Sequence, residues 1–106
     1  MCNVALLLLM TQALAPRTVE FEYVASRPSQ TVAVVGQFNQ WDRAALRLQL
    51  QGDGKTWKGS AKIAPGVYQY LFCEDNSRWI PHPDKPKVQD GNGNTNNLLV
   101  VQPESY

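Results

Sequence analysis

The sequence has few cysteines, no excess of charge of one sign and no apolar run long enough to span a membrane. Neither Cys2 nor Cys73 has partners at metal-ligand spacing. Ten basic residues are balanced by nine acidic ones, for a formal net charge of +1. Nucleic acids and anionic membranes are bound through clustered basic side chains, so this balance argues against both partners. We therefore expect a neutral ligand and no metal or other cofactor.

The first fifteen residues differ in character from the rest of the chain. Residues 1–16 carry no charge, and 4–10 form an unbroken apolar run. Ala13-Leu14-Ala15 has the small-x-small pattern that signal peptidase reads, although no basic residue precedes the run. We interpret 1–15 as a signal peptide or a disordered N-terminal segment. This leaves a secreted or periplasmic location and, as the alternative, a cytoplasmic one.

The remaining chain has the length of a single domain. Domains commonly have about 100–150 residues, and this chain has 106, of which 43% are hydrophobic and 18% charged. We assign residues 18–102 to the domain and 103–106 to a C-terminal tail. Removal of a signal peptide would leave Cys73 without a disulfide partner, and we interpret it as a small buried hydrophobic residue.

From Thr18 onward, short alternating apolar and polar runs are separated by turn residues. Glutamates alternate with apolar residues in 18–24, and 31–36 is apolar on both faces, as in a central strand. Leucines alternate with polar residues in 46–51, which indicates a half-buried strand. Turn signals follow at 52–54 and 65–66. With further strands at 57–63, 68–73 and 98–101 and no long amphipathic helix, the pattern predicts an all-β antiparallel sandwich.

Three tryptophans in so small a domain require an explanation. Trp57 lies within a regular alternation, so we expect it in the core. Trp41 and Trp79 lie instead in turn-like segments that contain asparagines, where large aromatic residues often mark recognition surfaces. A single loop tryptophan is explained slightly better by packing than by recognition, but two of them near asparagines favour recognition.

Sugar binding is the chemistry that suits loop tryptophans beside asparagines. The C–H face of a pyranose stacks on an indole, and its hydroxyl groups pair with planar amides. One stack that buries roughly 100 Å² at about 25 cal/mol/Å² contributes about 2.5 kcal/mol. Association costs about 4 kcal/mol or more, so binding requires two stacks and several hydrogen bonds. The expected affinity is micromolar to millimolar.

Four segments follow the order found in family 48 carbohydrate-binding modules, which the chain resembles over roughly 19–101. They are residues 34–42, 53–57, 65–72 and 93–98. This family includes the glycogen-binding domain of the AMP-activated protein kinase beta subunit and the early-set domain of isoamylases and branching enzymes. The resemblance implies an immunoglobulin-like (early-set) antiparallel β-sandwich that binds α-1,4-linked glucans such as glycogen or starch.

The resemblance also implies the residues of a carbohydrate-binding site. By position, Trp41 and Trp79 would be the two stacking platforms. Asn96 would donate and accept hydrogen bonds with sugar hydroxyls, and Asn97 would brace the start of the last strand. The segment before Trp79 is one residue longer than in the family.

The chain departs from the kinase-type members of the family in two places that concern the site. Leu71 stands where those members have a lysine, so one polar group is missing from the glucan face. Asn92 and Asn94 flank the glycine of the last motif and are candidates to supply hydrogen bonds instead. The resemblance thus implies a modified site on the same face.

The residues that could support acid–base catalysis are few. His82 lies between two prolines near Asp84, which indicates a solvated extended segment, and Glu74 with Asp75 is typical of the polar shoulder of a turn. A glycosidase needs two carboxylates across a cleft, and no nucleophile elbow, phosphate loop or zinc motif is present in the sequence. We predict no catalytic residues and a non-enzymatic module.

The expected partners are an α-glucan polysaccharide or oligosaccharide and a glucan-active enzyme with which the module is associated. Two alternatives stay open from the sequence. The domain could merely stabilise a partner enzyme that is encoded elsewhere. The same aromatic face could serve as a protein–protein docking module of a glucan-active assembly, without sugar binding of its own.

Overall fold

A computed structural model describes residues 15–103, which form two packed antiparallel β-sheets. The strands are β1 (Arg17–Val24), β2 (Val32–Gly36), β3 (Gln49–Leu50), β4 (Thr56–Ile63), β5 (Gly66–Glu74), β6 (Arg78–Ile80), β7 (Lys87–Gln89) and β8 (Thr95–Val101), with a 3-10 helix at Gln37–Asn39. One sheet has the order β1-β4-β3, and the other has the order β2-β5-β8-β7 with β6 also paired to β5. The all-β antiparallel sandwich predicted from the alternation is confirmed.

The structure does not test the predicted N-terminal segment, 1–15, or the predicted C-terminal tail, 103–106. Residues 1–14 and 104–106, which hold most of the N-terminal segment and of the tail, lie outside the described residues. Within 15–103, no helix has the length and apolar character needed to cross a membrane.

The core lies between the two sheets and is built from the alternate positions of the strands. In β1, Phe21 and Tyr23 are buried, and Glu20 and Glu22, which alternate with them, are exposed. β2 is buried throughout, as expected for a central strand. Trp57 is buried in the core, which confirms its predicted role. The buried core cluster comprises Phe21, Tyr23, Ala25, Val32, Val34, Leu48, Trp57, Ile63, Tyr70, Phe72 and Val101.

The segment 46–51 differs from the single half-buried strand that was predicted. The backbone N–H of Val34 donates to Leu46 O (2.9 Å), and that of Leu48 donates to Val32 O (2.8 Å), so this part lies beside β2. The next two residues form β3 and pair with β4 in the other sheet. Because the chain changes sheets after Leu48, Leu50 no longer faces the core and is 47% exposed.

The outer face of the larger sheet positions the candidate site. In an antiparallel pair, residues directly opposite each other share a face. Leu71 of β5 lies opposite Val35, and Cys73 lies opposite Trp79. Because successive side chains along a strand alternate between faces, Leu71 and Trp79 both point away from the core. Cys73 is buried at this face, as predicted, and burial raises the pKa of its thiol.

Candidate functional site

A groove with a volume of about 640 Å³ lies on the outer face of the larger sheet. We call it the aromatic groove, and it is lined by Trp41, Leu71, Trp79, Asp90, Gly93, Asn94, Thr95 and Asn96. Of the residues named from the sequence for the site, Asn92 does not line the groove, and the other five do: Trp41, Leu71, Trp79, Asn94 and Asn96. Concave surfaces of about 350 and 420 Å³ beside β1 have no tryptophan in their walls.

Trp41 lies in a loop whose backbone conformation is held by hydrogen bonds to the end of β2. Gln40 and Trp41 both have left-handed backbone conformations, with φ of 55° and 57°, which non-glycine residues seldom adopt. The Trp41 N–H donates to Gly36 O at 2.9 Å. Asn39 closes the turn because its Oδ1 accepts from Gly36 N (3.0 Å) and its Nδ2 donates to Val34 O (3.0 Å). The indole of Trp41 is thereby held at the surface, 36% exposed.

Trp79 is the central residue of the short strand β6 and is 45% exposed. The tight turn that leads into β6 contains two residues of positive φ, Asp75 and Asn76. The Asp75 carboxylate accepts from the backbone N–H groups of Gln30 (2.7 Å) and Thr31 (3.1 Å), which lower its pKa. The turn is therefore tied to the loop before β2.

Arg78, the neighbour of Trp79, holds β6 against the sandwich. Its Nη2 donates to Glu74 Oε1 (2.9 Å) and to Asp75 Oδ2 (3.1 Å). Glu74 is fully buried, and its other carboxylate oxygen accepts from the Tyr23 hydroxyl in the opposite sheet. Burial and this hydrogen bond raise the pKa of Tyr23, so the hydroxyl stays protonated. Glu74 stands at the start of the turn into β6, as the sequence indicated, but the alternation of β5 turns its side chain inward, which was not foreseen from the sequence.

Asp90, which directly follows the edge strand β7, lines the groove and was not identified from the sequence. Its carboxylate accepts from Asn92 N (2.8 Å), Asn94 N (3.2 Å) and Asn94 Nδ2 (3.0 Å). These donors lower the pKa of Asp90, which is therefore ionised at neutral pH. The turn contains Gly91 and Gly93 at φ of 87° and 90°. An aspartate before Gly-Asn-Gly is a sequence signal for such a turn.

Asn96 and Asn97 are adjacent in β8, so their side chains point to opposite faces of the sheet. Asn96 lines the groove but is only 5% exposed, and its Nδ2 donates to Gln69 Oε1 at 2.9 Å. Asn97 points inward and is fully buried. Its Oδ1 accepts from His82 N (2.6 Å), and its Nδ2 donates to the carbonyls of His82 (3.1 Å) and Pro86 (3.3 Å). Asn97 is thus a bracing residue at the start of β8, as predicted.

His82 is not the solvated side chain that the flanking prolines suggested. Its ring centroid lies 5.8 Å from that of Phe72 and 6.4 Å from that of Tyr23, and its Nδ1 accepts from Asp84 N at 3.0 Å. Burial lowers the pKa of His82. In the described part of the chain, no group of histidine, cysteine, aspartate or glutamate side chains is arranged to hold a metal ion.

The sandwich and its surface groove define a small binding domain, and comparison with known proteins identifies its family. Residues 17–106 match the family described as the glycogen recognition site of AMP-activated protein kinase, and the chain belongs to this family. This confirms the resemblance to family 48 carbohydrate-binding modules. The chain is accordingly a carbohydrate-binding module that is non-catalytic in itself.

Two relatives illustrate the similarity. The SNF1-related protein kinase regulatory subunit beta-2 of Arabidopsis thaliana is 37% identical over 71 residues, which are 67% of this chain and 23% of that protein. The chain thus spans less than a quarter of that relative. A crystal structure of maltogenic amylase from S. marinus superposes with a TM-score of 0.65 at 18% identity, over 82% of this chain and 14% of the amylase. The likeness confirms the immunoglobulin-like, early-set sandwich and shows the fold alone.

Proposed function

We propose that the chain binds α-1,4-linked glucans, of the glycogen or starch type, by stacking glucose units on Trp41 and Trp79. The observation that carries the proposal is the placement of both exposed indoles in one groove, although the two residues are far apart in the sequence. One stack contributes about 2.5 kcal/mol and association costs about 4 kcal/mol or more, so binding requires two stacking platforms. The side chain of Leu71, on β5, adds apolar surface to the same groove.

The asparagines of the groove complete the proposed site with hydrogen-bond acceptors. The amide nitrogens of Asn94 and Asn96 already donate to Asp90 and Gln69. Among the described residues, neither Oδ1 accepts a hydrogen bond, so both oxygens are available to sugar hydroxyls. Asn96 has little exposed surface, and we expect it to contact the glucan through this one atom.

An association with an enzyme is part of the proposal. The Arabidopsis relative is a regulatory subunit of a protein kinase, and the amylase is itself an enzyme. We propose that this module brings a glucan-active or glucan-regulated enzyme to its polymer. A secreted or periplasmic location, with the cytoplasm as the alternative, stays a prediction because residues 1–14 lie outside the described residues.

A protein-docking role without sugar binding is the second candidate, and one observation favours it. Val67 and Val100 lie directly opposite each other on the outer face of the larger sheet and are 63% and 51% exposed. A pair of large apolar side chains in water suits burial against another protein.

Electrophoresis in native gels with and without glycogen separates the two candidates. We expect glycogen in the gel to retard the protein relative to a non-binding marker, and added maltoheptaose to restore its mobility by competition. Unchanged mobility at high glycogen concentration would contradict glucan binding and favour the docking role.

A further inference from the structure

Of the described residues that line the aromatic groove, Asp90 alone carries a charge. The others are two indoles, a leucine, a glycine, a threonine and two asparagines. The carboxylate is held by the backbone N–H of Asn92 and by two N–H donors of Asn94, so it cannot turn away without losing these hydrogen bonds. The groove therefore contains a fixed negative charge.

No cation lines the groove to balance this carboxylate in the described part of the chain. Leu71 supplies apolar surface to the groove and no charge. The basic side chains nearest to this face do not line the groove. Arg78 pairs with Glu74 and Asp75, and Arg43 and Arg47 line a separate concave surface that also contains Asp42 and Asn76. Lys87 shares a face with the buried Asn97, and its Nζ donates to Pro83 O at 2.6 Å.

We propose that the groove selects uncharged glucan segments and excludes segments that carry phosphate esters, with Asp90 as the specificity-determining residue. The inference rests on the proposed glucan binding. A phosphate monoester carries a charge of about −1.5 to −2 at pH 7. A phosphate on a glucose unit held in this groove of about 640 Å³ shares a small space with Asp90. Charges closer together than the Debye length, about 8 Å at physiological salt, are only partly screened from each other.

The hydrogen-bonding capacity of Asp90 favours the same selection. Its Oδ2 accepts one hydrogen bond, from Asn94 Nδ2, and keeps capacity for another donor. A neutral sugar hydroxyl supplies such a donor. A phosphate dianion offers acceptor oxygens only, so it repels the carboxylate and leaves it without the new hydrogen bond.

Isothermal titration calorimetry of the whole chain with two matched oligosaccharides tests the inference. The probes are maltoheptaose and maltoheptaose that carries 6-phosphate esters. We expect the neutral sugar to bind about threefold more tightly near physiological salt and the ratio of the two affinities to approach one in 1 M salt. The readout is this ratio, which a general loss of affinity does not change.

Two variants assign the selection to the groove. Asp90→Asn keeps a side-chain oxygen for the N–H groups of Asn92 and Asn94 but removes the charge, and we expect the ratio to fall to about one. Leu71→Lys places a cation in the groove without touching the Asp90 turn, and it should favour the phosphorylated sugar relative to the neutral one. An unaltered ratio in Asp90→Asn would show that Asp90 does not set the selection, whatever the result for Leu71→Lys.

The outcomes for the unmodified chain distinguish the inference from the proposed function. Equal affinity for the two sugars, or tighter binding of the phosphorylated one, overturns the inference and leaves glucan binding intact. Binding of neither sugar overturns both.

Discussion

The Tyr23 hydroxyl donates a hydrogen bond to the fully buried carboxylate of Glu74 and joins the two sheets through the core. The same carboxylate accepts from Arg78, whose neighbour in β6 is Trp79. A polar chain of contacts therefore connects the interior of the sandwich to the strand that carries one of the two indoles. A buried charge is stable only when it is paired and hydrogen-bonded, as Glu74 is here.

Tyr23→Phe should lower the stability of the domain. The variant leaves one oxygen of the buried Glu74 carboxylate without its donor, which costs about 1–3 kcal/mol of unfolding free energy, measured by urea denaturation. Tyr68→Phe is the matched control, because the Tyr68 hydroxyl donates to Ala64 O near solvent. A loss of less than about 0.5 kcal/mol is expected there. Equal losses of unfolding free energy in the two variants would show that the hydrogen bond to Glu74 stabilises the domain no more than the one from Tyr68 to Ala64 does.

Trp41→Ala should abolish retardation in glycogen-containing gels. Removing one of two stacking platforms takes away about 2.5 kcal/mol from an interaction that barely exceeds the cost of association. Leu50→Ala, which truncates an exposed side chain of the smaller sheet, should be retarded as the unmodified chain is. Normal retardation of Trp41→Ala would place the glucan elsewhere.

Trp57→Ala should act on stability instead of on binding. Trp57 is buried in the core, and truncation of such a side chain costs about 3–5 kcal/mol of unfolding free energy. Urea denaturation measures the loss, and the retardation of the fraction that remains folded should be normal. If Trp57→Ala lost retention while keeping full stability, the roles of platform and core would be reversed.

Gly36→Ala should destabilise the turn that presents Trp41. A Cβ at this position would lie 2.7 Å from Gln69 O and 2.8 Å from Tyr70 Cβ, so β2 would have to move away from β5. Overpacking of this kind costs about 1–3 kcal/mol, visible as a lower thermal midpoint. Gly52→Ala is the control, since a Cβ there meets nothing within 4 Å. Equal midpoints for both variants would contradict the packing argument.

The unfolding free energy should fall when the pH drops below the ordinary histidine pKa of 6.5. Burial lowers the pKa of His82 in the folded state, so the unfolded chain takes up the proton first. The contribution of neutral His82 is complete above pH 6.5 and is lost as the pH falls through the lowered pKa. Urea denaturation between about pH 7.5 and pH 5 measures the slope. His82 is the single histidine of the sequence, so His82→Gln should flatten this slope. A slope that persists in the variant would assign it to other groups.

Much of the fold could be predicted because alternation is a local property. The pattern around Phe21 placed β1 correctly, and the unbroken apolar run of β2 indicated a strand buried on both faces. The segment that ends at Leu50 was misjudged, because the point at which a strand leaves one sheet for the other depends on its hydrogen-bond partners. The alternation of apolar and polar residues is the same on both sides of such a crossing, so it does not indicate where the chain changes sheets.

For the candidate site, the sequence by itself determined which side chains were suited to a sugar, namely Trp41 and Trp79 with nearby asparagines. Only the tertiary structure decided that the two indoles share one groove, that Asp90 supplies its charge and that Glu74 is buried at the end of β5. The physical reason is that residue chemistry and alternation act over a few positions. The meeting of distant side chains is set instead by strand pairing and by the packing of the two sheets.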